Sequence, residues 1–126
     1  VADVIRLRCE ETVRIDSDRI VALYSQMGQH AAERLMSKAI EDLAVQMVAV
    51  DVAIREGRQE AFGRAIDTLI PLATQVGMSK LVRIAQDLRA AVAAQDAVAR
   101  DALLARLVRI GDRSLSEVWG IQDMSL

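Results

Sequence analysis

The sequence predicts an all-α protein, an up-down antiparallel four-helix bundle preceded by one or two short N-terminal helices. Three observations lead there. Hydrophobic residues make up 52% of the 126 residues but aromatics only 2%, so the core must be built from Leu, Ile, Val, Ala and Met. Ala and Leu are strong helix formers, and aromatics add little to a helix. A single proline and 6 glycines leave long stretches without a breaker. Apolar residues also recur at i, i+3, i+4 and i+7 along most of the chain, which is the period of one helix face. The length, residues 1–126, is that of one domain and is enough to bury a core without metal or disulfide.

Each element follows in order. Ile5, Cys9, Thr12 and Val13 stand at helical spacing and mark a short first helix. Asp16 precedes Ile20, Leu23, Tyr24 and Met27, an N-cap with a helix behind it, and Gly28 is its stop. A long helix from about Gln29 to Glu56 carries Ala32, Leu35, Met36, Ala39, Ile40, Leu43, Met47, Val50 and Ile54 inward, and Gly57 ends it. The next, about Arg58 to Val76, has the stripe Phe62, Ile66, Leu69, Ala73 and Val76 and closes at Gly77. Ser79 is the expected cap of a helix striped by Leu81, Ile84, Ala85, Leu88 and Val92. A turn at Gln95 and Asp96 leads to the last helix, with Leu103, Leu104, Leu107, Gly111, Leu115 and Val118 inward. Short connections make sequential helices antiparallel.

Charge narrows the function classes. A net charge of −2 and a pI near 5.4 predict neither nucleic-acid nor anionic-membrane binding, both of which need a basic excess. No apolar run reaches the length of a membrane span. Asp3, Arg6, Arg8, Glu10 and Glu11 leave no room for a signal-peptide core. Cys9 is the single cysteine, read as a small half-buried apolar residue without redox or metal role. The expectation is a cytoplasmic, soluble monomer, with a dimer as the alternative, and without cofactor or metal.

Residues 67 to 77, Asp-Thr-Leu-Ile-Pro-Leu-Ala-Thr-Gln-Val-Gly, carry the most specific signal. They resemble the motif of histidine-containing phosphotransfer (HPt) domains, roughly His-x-Leu-Lys-Gly-x-x-x-x-x-Gly, whose His carries a phosphoryl group between signalling proteins. Leu69 and Gly77 fit that pattern with the small Ala73 between them. Asp67 stands in the place of the His, Ile70 of the Lys and Pro71 of the first Gly. The resemblance extends over about residues 15 to 119. Leu23-Tyr24-Ser25-Gln26-Met27-Gly28 is similar to the family's first-helix ending, and Arg55-Glu56-Gly57-Arg58 to its turn between the first two bundle helices. What it implies is a bundle of the phosphorelay shuttle's shape with a degenerate reactive position.

Helical geometry places Asp67 well off the core stripe, with Gly63, Pro71 and Thr74 as its surface neighbours and Ile70 at the border of core and water. A neutral imidazole is a good nucleophile near neutral pH. A carboxylate accepts phosphate only where a metal and fixed cations offset the gathered charge. No acidic cluster around Asp67 would hold Mg²⁺, so the sequence predicts no catalytic residue, no phospho-acceptor at this position and no enzyme. Pro71 lacks an N–H, costs about 3 kcal/mol inside a helix, and should kink it near Asp67 or end it at Ile70.

The reading these residues favour is a non-catalytic HPt-like module of two-component signalling. It would bind a response-regulator receiver domain or a histidine kinase through Gly63, Arg64, Asp67, Ile70, Pro71 and Thr74 without carrying phosphate. One alternative is a structural or oligomerising helical bundle whose likeness to HPt domains is at the level of the fold. Another is an active relay using His30, the only histidine, as acceptor. Residues Leu7 to Leu23 also faintly resemble the first helix of all-α chorismate mutases, but Gln26 stands near that family's arginine position and only Lys38 is a candidate lysine. The arginines lie on polar faces beside acids such as Glu33, Glu41, Asp87 and Asp101 and read as solvated ion pairs. Trp119, Gly120 and the tail to Leu126 are expected to close one end of the bundle.

Overall fold

The computed structural model describes residues 16–124, the side chains of Ser17 and of residues 117–124 excepted. The chain is all-helical: α1 (Ser17–Met27), α2 (Gln29–Arg55), α3 (Gln59–Gln75), α4 (Ser79–Ala93) and α5 (Ala97–Met124), with no strand among the described residues. Each helix packs on the next, α1 and α2 being linked by Gly28 alone, and α5 returns to touch α2. The expected helix over Ile5 to Val13, Cys9, and the side chains of Val118 and Trp119 lie outside the described residues; the backbone of α5 runs on through Trp119 to Met124.

Local chemistry sets each boundary. Asp16 caps α1, its Oδ1 accepting the Arg19 N–H at 3.2 Å. Gly28, at φ 81°, is at once the C-cap of α1 and the N-cap of α2. Three turns then end their helices in the same way. After α2 the Gly57 N–H donates to the Ile54 carbonyl and the Arg58 N–H to Ala53; after α3, Gly77 donates to Thr74 and Met78 to Ala73; after α4, Gln95 donates to Val92 and Asp96 to Ala91. This paired pattern is the Schellman motif, which needs a left-handed residue at the turn. Gly57 (φ 69°) and Gly77 (φ 78°) supply it freely, while Gln95 adopts φ 56° with a side chain attached.

The core lies where the apolar stripes meet. Met36, Leu43, Val50, Ile66, Leu69, Leu81, Ile84, Leu88, Leu107 and Ile110 are all nearly inaccessible to solvent. The expected stripe of α3 is wholly buried. Of the residues expected inward on α2 to α4, Leu35, Ile54 and Val92 are instead half-buried, and Ala53, Ala65 and Ala91 sit deeper. Small side chains fit where helices approach closely, and the larger neighbours move to the rim. On α5, Ile110 and Ser114 join the core, while Leu103, Leu104 and Leu115 are partly covered. Ser79 does not cap α4: Met78 is the N-cap residue, without a side-chain bond, and Ser79 is the first residue of the helix. The Gly77 turn commits the Met78 N–H to Ala73 and buries the Met78 side chain completely, and the helix starts at Ser79, one residue earlier than the cap reading requires.

Two close approaches fix how the helices sit. The Asp16 N–H donates to the Gly77 carbonyl at 2.8 Å, and the Arg19 Nε donates to the Gln75 carbonyl at 3.3 Å. The start of α1 thereby satisfies carbonyls that the end of α3 leaves open. A Cβ at Gly77 would lie 3.0 Å from the Asp16 oxygen, so this contact requires a glycine for space as well as for φ. Between α5 and α2, a Cβ at Gly111 would overlap the Met47 Cε and Sδ.

Candidate functional site

The face of α3 that carries Asp67 is built by one helix and bordered by a second. Leu69 and Ala73, both fully buried, anchor α3 on either side of Pro71, which points to solvent. That anchoring explains why α3 runs unbroken from Gln59 to Gln75 with Pro71 inside it, so the alternative in which the helix ends at Ile70 is corrected. Core contacts hold the backbone helical where the proline removes the N–H that the Asp67 carbonyl would accept. Thr68 and Thr74 flank the proline, and each hydroxyl donates back to its own helix, to Arg64 and Ile70 carbonyls, at 2.8 Å. Such back-bonding removes both hydroxyls from the surface inventory of donors.

Arg64, Asp67, Pro71 and Thr74 are exposed, and Gly63 and Ile70 are half-buried. All six therefore share one face, with Ile70 also packing against the core. A Cβ at Gly63 would meet nothing within 4 Å, so the surface there is open. Helical spacing places Gly63, Arg64, Ile70, Pro71 and Thr74 around Asp67, and the structure adds a partner from another helix. Arg89 of α4 places its Nη1 2.9 Å from the Asp67 Oδ1. The two residues are 22 apart, and only the pairing of α3 with α4 brings them together. No local spacing signals that contact; the signal available was that both lie off their own core stripes.

Beside this ion pair, Gln59, Phe62, Gly63, Arg89, Val92 and Ala93 line an open cleft of about 300 Å³ between α3 and α4. Its floor is apolar and its rim polar. A second cavity, of about 280 Å³, opens at the end of the molecule between the α2–α3 and α4–α5 turns, with Ile54, Phe62 and Val92 inside and Arg58 and Arg100 at the mouth. Both arginines there are already engaged, Arg58 with Glu56 at 3.1 Å and Arg100 with Asp101 at 3.0 Å.

His30 is exposed near the start of α2, over a shallow depression shared with Glu33, Arg34, Ser37, Lys38 and Glu41. All of these come from the same helix, and among the described residues no other element lines the depression. Lys38 donates to Asp42 at 2.9 Å, and that hydrogen bond together with the Asp42 charge raises its pKa above the ordinary lysine value. Among the described residues no group of three His, Cys, Asp or Glu is placed to hold a metal ion. No helix of the described residues is long and apolar enough to cross a membrane.

Chemically, the α3 face offers a carboxylate already partnered by a guanidinium, one half-buried apolar residue and a glycine beside an apolar cleft. It carries no imidazole. Comparison with protein-family models, curated proteins and solved structures finds no match to this chain.

Proposed function

We propose that the chain is a non-catalytic HPt-like signalling module, in which α2 to α5 form an up-down antiparallel four-helix bundle. On this reading it docks on a receiver domain or histidine kinase through the α3 face and carries no phosphate. The observation that carries the reading is the 2.9 Å pair of Asp67 and Arg89 on an exposed helix face with an apolar cleft at its edge. In the motif this segment resembles, that position belongs to the phospho-accepting His. Here the acidic group is neutralised by its neighbour, so the face presents shape and a small dipole in place of a reactive nitrogen.

Three features support docking at this face. Gly63 allows a partner close approach because nothing stands above it. Ile70 offers an apolar anchor of the kind that interfaces concentrate near their centre. The cleft next to Gly63 is lined by Phe62 and Val92 and can take a partner's side chain. The test is a titration of purified receiver domains and kinase dimerisation domains into the chain, followed by calorimetry or amide chemical shifts. Saturable binding that Gly63→Arg weakens, with no labelled phosphate transferred to the chain, supports the reading. Absence of binding to every partner tried leaves the structural-bundle reading in its place.

A further inference from the structure

The outer face of α2 carries a feature that the α3 face does not use. Val45, Val48 and Val52 are 61%, 64% and 42% exposed. At 100° per residue they fall within about 60° of one another, on the side of α2 opposite the buried Leu43, Met47 and Val50. A solvent-facing helix normally fills such positions with charged or polar residues.

The charges at the ends of this stripe are placed symmetrically about its middle. Glu41 stands seven residues before Val48 and Arg55 seven after it, both exposed and both on the same side of the helix as the stripe. We propose that this face binds a second copy of the chain, with the two α2 helices antiparallel about a two-fold axis at Val48. A two-fold interface brings the same patch together from both molecules. Val48 then meets its own counterpart, Val45 meets the region of the second copy's Val52, and Glu41 meets the second copy's Arg55 twice over. Parallel pairing would also put valine on valine, but it would set Glu41 against Glu41 and Arg55 against Arg55. The charges therefore select the antiparallel arrangement.

Arg55 already donates to Asp51 one turn earlier, at 3.1 Å with its own side chain 75% exposed. Such a surface pair binds weakly, and the planar guanidinium has further N–H groups to offer a second carboxylate. The seam is narrow, well short of the roughly 800 Å² per partner that stable complexes bury, so the dimer forms at micromolar or higher concentration. It takes the dimer alternative over the monomer that the sequence reading favours, and it is independent of the proposed receiver-docking face on α3.

Sedimentation velocity over a concentration series into the high micromolar range tests it. The wild type should move toward dimer mass as concentration rises. Val48→Glu, which sets two carboxylates on the axis, should weaken association by at least about tenfold, and Val45→Glu, which faces the second copy's Asp51, should act likewise. Glu41→Arg and Arg55→Glu should each weaken it by creating like-charge contacts, and the double variant E41R/R55E should restore it. Circular dichroism of each variant controls for helix content. A wild type that stays monomeric overturns the proposal and leaves the stripe to a different protein or to residues 1 to 15 of this chain. Association that survives Val48→Glu, or that the charge exchange does not restore, overturns it equally.

Discussion

Asp67 on α3 and Arg89 on α4 form a 2.9 Å ion pair across the joint between their helices, with Arg89 50% and Asp67 66% exposed. Water competes for both groups, and holding two side chains in one geometry costs entropy, so the pair contributes little to folding. Replacing either by Ala should change stability by less than about 1 kcal/mol, and a double-mutant cycle should give a coupling of a few tenths. The coupling should fall with added salt. Chemical denaturation of the four proteins in low and high salt measures both quantities.

Pro71 is the interior residue of α3 that opposes its own helix most strongly. The helix is held there by Leu69 and Ala73 while the proline ring faces solvent. Pro71→Ala should therefore return a hydrogen bond to the Asp67 carbonyl and raise stability by up to about 3 kcal/mol. Thermal unfolding would register the gain as a higher midpoint. A loss would mean that the proline's shape is used in packing.

Gly57 and Gly77 close two helices with nearly the same left-handed φ, yet they should not tolerate alanine equally. Alanine at Gly57 meets open space and pays only the conformational penalty of about 1–2 kcal/mol. At Gly77 the same penalty is joined by contact with Asp16, whose backbone oxygen lies 3.0 Å from the new Cβ. Gly77→Ala should thus be the more destabilising of the two and should expose the amide of Asp16 to hydrogen exchange, while Gly57→Ala leaves that amide protected.

The two glycines inside helices should also diverge. Gly63→Ala places a methyl in open space and gains the helix propensity of alanine, about 1 kcal/mol. Gly111→Ala drives its methyl into the flexible end of the buried Met47, and displacing that side chain should cancel the alanine gain. In a Met47→Ala background the effect of Gly111→Ala should turn favourable. Equilibrium denaturation across that cycle decides whether the overlap, rather than the backbone, sets the sign.

Much of this arrangement is readable from periodicity and turn chemistry. The stripe Phe62, Ile66, Leu69, Ala73 and Val76 and the stops at Gly28, Gly57 and Gly77 follow from local rules, because a helix face and a left-handed turn are local properties. The N-cap at Asp16 follows for the same reason. Ser79 misled because the turn before α4 is fixed by hydrogen bonds running back to Ala73 in the preceding helix. Ala53 and Ala91 outrank Ile54 and Val92 in burial because interhelical distance, which no single helix specifies, decides who fits. Arg89 was out of reach for a related reason: its contact with Asp67 exists only once α3 and α4 are paired. Gly63, by contrast, could be assigned to the Asp67 face from spacing alone.

Docking of a signalling partner on the proposed α3 face, without acceptance of phosphate, can be read in one experiment: phosphorylated and unphosphorylated receiver domains are titrated into the wild-type chain and into Gly63→Arg, with binding and labelled phosphate followed in the same samples. Ile70→Glu serves as a second disrupting variant, with circular dichroism to verify its fold. The wild type should bind saturably, both variants should lose most of that affinity, and no label should appear on the chain. Binding that is absent, that is unchanged in both variants, or that is accompanied by phosphate transfer to the chain would contradict the proposal.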